Sequence, residues 1–336
     1  MEEELQFCEK VPKIELHAHL NGSISLEKLK LLNDNDVPTL PQYEITSSTP
    51  LKQCFEVFKI AHTIVNNPLK VYEATLSVIE DFYKDNVIYL ELRSTPRMIP
   101  DIMTKDVYIE SVIKAIQTAS LTFPKILVKF LISVNRAHGI ENATENILSA
   151  IKYHEMYPEY VVGLDLSGDP SEGEAFLHLL ERARNAGLKI AAHCAEVPNN
   201  DEVEDILNFK PDRLGHCTHI HPDLNGSNEL FEQLLTSKIP IELCITSNIK
   251  CQTVSDYSKH QFNYFYKANH PICIATDDKS VFNTTLSKEF QIIKTHFKLS
   301  SKELIKLSLA AVDYSFATNN EKEKLRQIIK NFTYLE

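Results

Sequence analysis

The sequence lacks the features of a secreted, membrane-spanning or disulfide-bonded protein. No apolar stretch reaches the roughly 18 residues that span a bilayer, and the acidic N-terminus Met-Glu-Glu-Glu-Leu-Gln-Phe has no apolar segment of a signal peptide. The seven cysteines are odd in number and form no C-x-x-C pair. Most of them lie in apolar runs, which favours reduced thiols over a disulfide framework. We therefore expect a cytosolic protein.

Positive charge is also scarce, with 35 lysines and arginines against 46 aspartates and glutamates, for a formal net charge of −11. A protein that binds nucleic acid or anionic lipid relies on Lys and Arg to replace counterions. We therefore expect neither nucleic acid nor a membrane as a partner, and we predict a monomer acting on a small molecule. The 8 glycines and 15 prolines are few and 43% of residues are hydrophobic, which indicates an ordered globular chain.

Eight short apolar runs, each ending in polar residues, alternate with longer amphipathic segments. A parallel sheet made of β-α-β units has this alternation, and eight units close a (β/α)8 TIM barrel. An open, doubly wound sheet has the same pattern, but no G-x-G-x-x-G turn follows the first run. We predict an α/β TIM barrel with strands at Ile14–Leu20, Val87–Ser94, Ile126–Asn135, Val161–Gly168, Leu188–Glu196, Arg213–Thr218, Ile239–Ser247 and Ile272–Asp278.

The interval of residues 21–86 between the first two predicted strands is too long for one barrel helix. We predict a helical insertion there, lying over the carboxyl ends of the strands, where barrel active sites are found. Its expected packing residues are Phe55, Val57, Phe58, Ile60 and Ile64. Residues 298–336 are predicted to form helices that cover the barrel, and residues 1–336 to form a single domain.

Histidines and acidic residues occur at the ends of four predicted strands. His17 and His19 are two residues apart, so on a strand they face the same side. His193, His216 and the Asp277-Asp278 pair close three later strands. Three imidazoles and a carboxylate suit zinc with an open position for water, and that water ionises near neutral pH. Glu196, three residues after His193, is placed to donate a proton beside the metal.

The ordered motifs of the chain resemble those of the adenosine/AMP deaminase family from about residue 11 to residue 290. They are His-Ala-His-Leu-Asn-Gly-Ser, Ser-Gly-Asp-Pro, His-Cys-Ala-Glu, Gly-His-Cys and Thr-Asp-Asp. The adenosine deaminase-like branch, the N6-methyl-AMP deaminases, is most similar, because Leu-Arg-Ser-Thr-Pro-Arg, Asp-Leu-Ser-Gly-Asp-Pro and Thr-Asp-Asp-Lys are also present. The cytidine-type zinc deaminases differ, since their P-C-x-x-C signature is missing.

The resemblance implies a role for each matched residue. It implies one zinc ion per chain, because no lysine follows the fourth strand in position to bridge two metals. Glu196 would protonate purine N1 while hydroxide attacks C6, and His216 would orient the attacking water. Asp278 would contact N7, and the Gly168 amide N3. The zinc ligands of the family correspond to His17, His19, His193 and Asp277.

Several residues favour a nucleoside monophosphate over a nucleoside. Adenosine deaminases usually carry Asp where this chain has Asn21, and an amide, unlike a carboxylate, can donate a hydrogen bond to a phosphate. Arg97 suits phosphate by its bidentate geometry. The other predicted substrate contacts are His19, His62, Ser94, Thr95, Pro96 and Asn135, the last replacing a family Asp.

The predicted reaction is the conversion of N6-methyl-AMP to IMP and methylamine. Three alternatives stay open at this point. The first is a plain adenosine deaminase, which would form inosine and ammonia. The second is another barrel metal hydrolase acting on amides or phosphoesters, and the third is a non-catalytic binding protein that has kept the barrel.

Overall fold

The structure, a computed structural model, describes residues 2–34 and 59–333, with side chains from residue 5 onward. Its strands are β1 Lys13–His19, β2 Val87–Ser94, β3 Leu127–Asn135, β4 Val161–Ser167, β5 Lys189–Cys194, β6 Arg213–His216, β7 Ile241–Leu243 and β8 Ile272–Ile274. Its helices are Glu2–Lys10, Leu20–Ser23, Leu26–Leu32, Pro68–Lys84, Lys105–Thr122, Gly139–Met156, Leu177–Asn185, Asn200–Phe209, Asn228–Ser237, Ile245–Lys250, Phe262–Lys267, Leu286–His296, Ser301–Tyr314 and Asn319–Lys330, with short 3-10 helices at Arg136–His138, Thr218–Ile220, Pro222–Leu224 and Tyr257–Lys259.

The strands pair in parallel in the order β1 to β8, which confirms the predicted (β/α)8 barrel over the open sheet. Between β8 and β1 the barrel is joined by backbone hydrogen bonds from His19 N–H to the Asp277 carbonyl and from Asp277 N–H to the His17 carbonyl, at 3.0 and 2.9 Å. Glu15 strengthens this seam because its carboxyl accepts hydrogen bonds from the Thr276 amide and hydroxyl at 3.0 and 2.8 Å. Among the described residues, none of the helices is long and apolar enough to cross a membrane.

The predicted strands lie where the sequence places them, but the last two are shorter than predicted. After β7 the chain turns at once into the helix Ile245–Lys250. After β8 it adopts a left-handed conformation at Asp277, with φ of 61°. The apolar pattern continues beyond both strand ends because these residues are still buried, although they no longer pair as strands.

Charged side chains fill the middle of the barrel. Arg93 donates to Asp165 at 2.8 Å and to Glu242 at 3.1 Å. Arg213 donates to the other oxygen of Glu242 at 2.6 Å and also to Glu91. All five side chains are fully buried. Because each charge has an opposite charge as a partner, the desolvation cost of burying them is offset by Coulomb attraction and hydrogen bonds.

The insertion is described only in part. Residues 59–64 are helical, Ile64 is buried, and Ile60 packs against the main hydrophobic core. Phe55, Val57 and Phe58 lie outside the described residues. The predicted packing role is therefore confirmed for Ile60 and Ile64.

The C-terminal helices Ser301–Tyr314 and Asn319–Lys330 pack against the barrel, as predicted. Ala311, Val312, Leu325 and Ile329 form a cluster with apolar residues of β1, β2 and β8. Between the two helices, the ring of Phe316 packs against β3, β4 and β5. Its centroid lies 3.6 Å from the Arg213 guanidinium carbon, in a cation–π contact.

Candidate metal and substrate site

A cavity of about 320 Å³ opens at the carboxyl ends of the strands. Its volume is in the range of small-molecule sites. It does not reach His17, which lies behind the wall, or Pro96. The other residues that the sequence identifies all line it: His19, Asn21, His62, Ser94, Thr95, Arg97, Asn135, Gly168, His193, Glu196, His216, Asp277 and Asp278.

Four side chains at one side of this cavity bring their donor atoms together: His17, His19, His193 and Asp277. The Nε2 atoms of His19 and His193 are 3.2 Å apart. Oδ1 of Asp277 lies 3.4 Å from Nε2 of both His17 and His19. Tetrahedral ligands about 2.0–2.1 Å from a zinc ion are themselves about 3.3 Å apart. The spacing of these atoms therefore fits a tetrahedral metal site.

Neighbouring carboxylates and carbonyls orient the imidazoles of this site. His17 Nδ1 contacts Oε2 of Glu242 at 2.6 Å, and His193 Nδ1 contacts the Leu166 carbonyl at 2.7 Å. Such contacts hold the Nδ1 proton and leave Nε2 for a metal. Nε2 of His17 is buried and has no hydrogen-bond partner among the described residues, which is the state expected of a metal ligand.

The electrostatics of the cluster also fit a cation. Burial raises the pKa of a carboxyl, yet the adjacent imidazole of His17 holds the pKa of Asp277 well below its usual range. Burial lowers the pKa of His19 well below its usual value, so its imidazole is neutral. Cys244 lies near the same cluster, but burial raises the pKa of its thiol. The neutral imidazole and the carboxylate are therefore better ligands than this sulfur.

Glu196, His216 and Asp278 lie around the candidate metal site. His216 Nε2 is 3.6 Å from Oε2 of Glu196 and 4.0 Å from Oδ2 of Asp277. Asp278 lies against Gly22, where an added Cβ would be 1.8 Å from the Asp278 Oδ1. Only glycine at position 22 leaves room for this carboxylate. The structure therefore brings all three predicted side chains to the cavity.

The backbone turns sharply where these side chains leave the strands. Ala195, His216, Cys217 and Asp277 all have φ between 50° and 62°, a left-handed conformation that costs non-glycine residues roughly 1–3 kcal/mol each. Such conformations persist only where surrounding contacts hold them, and they are concentrated at functional sites.

Gly168 and Asn135 meet on the opposite wall of the cavity. Gly168 has φ of 103°, and a Cβ there would be 2.3 Å from the Asn135 Oδ1. The same oxygen accepts a hydrogen bond from the Ala137 amide at 3.0 Å. Asn135 thus caps the turn after β3, in addition to its predicted role in substrate binding.

Arg97 holds the segment of the insertion that borders the cavity. Its terminal nitrogens donate to the backbone carbonyls of His62, at 2.9 Å, and Val65. Burial and the nearby Arg97 lower the pKa of His62 to about 3, so this imidazole is neutral at physiological pH. Bidentate phosphate binding by Arg97, as the sequence predicts, would require the guanidinium to give up these carbonyls.

Several residues that support the site were not predicted from the sequence. Glu242 lies within an apolar strand and carried no signal beyond its charge. Ser247, which donates to Asp277 Oδ2 at 2.7 Å, and Asn248 follow β7, where the polar ending of an apolar run could have indicated them. Gly22 belongs to the Asn-Gly-Ser motif that the sequence shares with the family.

Known proteins resemble this chain over nearly its whole length. The family model described as adenosine deaminase matches residues 12–332. N6-Methyl-AMP deaminase of Danio rerio is 42% identical over 330 residues, which cover 96% of this chain and 95% of the relative. The crystal structure of Arabidopsis N6-mAMP deaminase superposes with a TM-score of 0.88 at 35% identity, covering 97% of this chain and all of that one. A structure of Arabidopsis ADAL complexed with IMP has the same TM-score at 36% identity, covering 97% of this chain and 98% of that one.

Proposed function

The chain belongs to the adenosine deaminase family and is a hydrolytic deaminase acting on C–N bonds, and on that premise we propose that it converts N6-methyl-AMP to IMP and methylamine. The relatives named N6-methyl-AMP deaminase match nearly the whole chain. The observation that carries the proposal is the cavity itself, whose wall holds the candidate ligands His19, His193 and Asp277 with His17 behind them. Glu196 and Asn21 line the same cavity.

We propose that one zinc ion binds His17, His19, His193 and Asp277. When bound, zinc would lower the pKa of a water molecule to near 7 and so supply the nucleophile at neutral pH. Glu196 would hold a proton for purine N1, which makes C6 electrophilic. Asp278 would bind the N7 edge, and the Gly168 amide would bind N3. These contacts would place the C6 atom of the purine against the metal side of the cavity.

The substituent at the 5′ position would lie near Asn21. The Oδ1 atom of Asn21 is buried and has no hydrogen-bond partner among the described residues, so this acceptor is open to a donor of the ligand, while the amide nitrogen would be the atom that donates to a phosphate. An amide does not repel a phosphate as the usual aspartate would. The hydroxyls of Ser94 and Thr95 and the half-buried Arg97 are the further contacts we propose for the nucleotide, with His62, Pro96 and Asn135 beside them.

Adenosine is the competing substrate. Both terminal nitrogens of Arg97 are already bonded to carbonyls, and adenosine has no 5′-phosphate that would need this guanidinium. We also propose that residues 1–336 form one domain with an insertion at about 21–86, since the described part of that insertion borders the same cavity.

A substrate panel tests the proposed function. N6-methyl-AMP, AMP and adenosine are each incubated with the zinc-loaded protein, and the released amine and the purine product are measured. We expect N6-methyl-AMP to have the highest kcat/KM, and Glu196→Gln to lower its turnover by roughly 10²–10⁴-fold. Glu229→Gln, at an exposed helix position, is the control that keeps full activity. Faster turnover of adenosine than of N6-methyl-AMP would assign the nucleoside as the substrate.

A further inference from the structure

A chain of buried side chains contacts His216 at the Nδ1 side of its ring, and the first of them, Asn248, also borders the cavity. Asn248, in the helix after β7, contacts Nδ1 of His216 with its amide nitrogen at 3.2 Å. Behind Asn248 lie His260 and Gln261, at the start of the helix Phe262–Lys267. All four side chains are at most 3% exposed, so their hydrogen-bond partners are mostly protein groups. The direction of each bond can be worked out from fixed backbone groups.

The orientation of the Gln261 amide follows from the backbone of His216 itself. The Gln261 Nε2 atom lies 3.1 Å from the His216 carbonyl oxygen, which can only accept. Nε2 must therefore be the amide nitrogen, because an oxygen there would face another oxygen. The same nitrogen lies 2.8 Å from the Oδ1 of Asn248. Asn248 thus presents its oxygen, and not its nitrogen, to Gln261.

His260 gives the same result independently. Its Nδ1 accepts a hydrogen bond from the Phe262 amide at 3.1 Å, and an amide can only donate. Burial lowers the pKa of His260 to about 3, so the ring is neutral and its one proton is on Nε2. That Nε2 lies 3.2 Å from the Asn248 Oδ1. Two donors anchored to the backbone therefore point at this oxygen.

With its oxygen occupied by two donors, Asn248 can offer only its amide N–H groups to His216. Nδ1 of His216 must then be an acceptor with a free lone pair. The proton of the neutral imidazole is consequently on Nε2, the atom that lies 3.6 Å from Glu196 and 4.0 Å from Asp277. An imidazole in this tautomer donates a hydrogen bond into the cavity and has no lone pair there.

We propose that Asn248 is a positioning residue that fixes His216 as the Nε2–H tautomer. This inference rests on the proposed function in one respect, because it gives His216 a role in that reaction. As the Nε2–H tautomer, His216 cannot take a proton from the attacking water. It orients the water oxygen by donating to it. The proton that leaves the water would then pass to a carboxylate oxygen, either of Asp277 or of Glu196 once Glu196 has given its own proton to purine N1. Both of these carboxylates lie within 4.0 Å of this nitrogen.

The tautomer is measured directly by ¹⁵N NMR of the zinc-loaded protein labelled at histidine. His216 signals are assigned by comparison with His216→Gln. We expect the proton of His216 on Nε2 and a bare Nδ1. A wild-type spectrum with the proton on Nδ1 would overturn the proposal whatever the substrate. If the substrate panel fails while Nε2–H is observed, the proposed function is wrong and the assigned tautomer stands.

The role of Asn248 is tested with Asn248→Asp, whose carboxylate accepts and cannot donate. We expect the proton of His216 to move to Nδ1 and kcat to fall by about 10²–10⁴-fold, as wrong-tautomer histidines do in other enzymes, with KM little changed. Asn263→Asp, on the same helix as Phe262, adds the same charge without contacting His216 and should keep wild-type kcat. A moved proton with wild-type kcat would show that the tautomer does not matter to the reaction.

Discussion

A single carboxylate, Glu242, connects the candidate metal site to the charged interior of the barrel. Its Oε2 contacts His17 at 2.6 Å and Arg93 at 3.1 Å, and its Oε1 accepts from Arg213 at 2.6 Å. Burial alone would raise the pKa of this carboxyl, but Arg93 and Arg213 hold it well below the usual range. Glu242 therefore stays ionised, and it holds the His17 ring with Nε2 toward the site.

We predict that Glu242→Gln weakens zinc binding by about 10–100-fold, as the loss of an outer-sphere partner does in other sites. It should also lower the free energy of unfolding by about 3–5 kcal/mol, because two buried guanidinium groups lose their shared counter-charge. Zinc affinity is measured by chelator competition and stability by urea unfolding. Glu229→Gln on the surface should change neither quantity. Unaltered zinc affinity in a folded Glu242→Gln protein would contradict the role we give this carboxylate.

The sequence could indicate the ligands but not this supporting residue. His17, His193 and Asp277 are polar residues at the ends of apolar runs, which is a visible pattern. Glu242 interrupts an apolar strand as one charge among many, and its partners Arg93 and Arg213 come from other strands. Only the closed barrel brings these residues together, because contacts between distant strands leave no periodicity in a single sequence.

Left-handed residues determine where several strands and helices end. At the site, His216 turns the chain at the end of β6, and Asp277 turns it three residues beyond the end of β8. The sequence-based prediction extended β7 and β8 too far because hydrophobicity indicates burial and not backbone conformation. The same conformation ends the helix Asn228–Ser237, where the exposed Lys238 has φ of 56°. Glycine is the usual residue at such a helix end.

We predict that Lys238→Gly stabilises the protein. A left-handed conformation costs a non-glycine residue about 1–2 kcal/mol, while glycine loses about 0.5–1 kcal/mol more backbone entropy on folding. The free energy of unfolding in urea should therefore rise by roughly 0.5–1 kcal/mol. Lys324→Gly, at an exposed position inside the helix Asn319–Lys330, should instead lower it by about 1 kcal/mol. Equal destabilisation by both substitutions would show that the Lys238 backbone is not strained.

At the scale of the whole molecule, the seam that closes the barrel and the candidate metal site are the same place. The backbone hydrogen bonds between β1 and the segment that follows β8 are made by His17, His19 and Asp277, three of the four candidate ligands. Metal binding would therefore clamp the first strand to the last. The order of strands and the closure of the barrel could be predicted from the alternating pattern, whereas this coincidence required the register of β1 against β8.

Buried neutral histidines should make the whole fold sensitive to acid, and His260 offers the cleanest case. It is fully buried, and burial lowers its pKa from 6.5 to about 3. His260 takes up a proton below pH 6.5 in the unfolded chain, but only near pH 3 in the folded protein. Its contribution to the free energy of unfolding is therefore complete above pH 6.5 and is lost as the pH falls from 6.5 toward 3. Between pH 6.5 and about 5 this one group should remove about 2 kcal/mol from the free energy of unfolding.

His260→Gln has no imidazole to titrate, so its free energy of unfolding should fall less steeply with acid than that of the wild type. The readout is the slope of that free energy between about pH 7 and pH 5, measured in urea on zinc-loaded protein, and not its absolute value, which the lost contacts with Asn248 also affect. His178→Gln, at an exposed helix position, should keep the wild-type slope. If His260→Gln keeps the wild-type slope as well, His260 takes up its proton over the same pH range in the folded protein as in the unfolded chain. It then cannot hold the orientation of Asn248 in the way that its hydrogen bond to Phe262 requires.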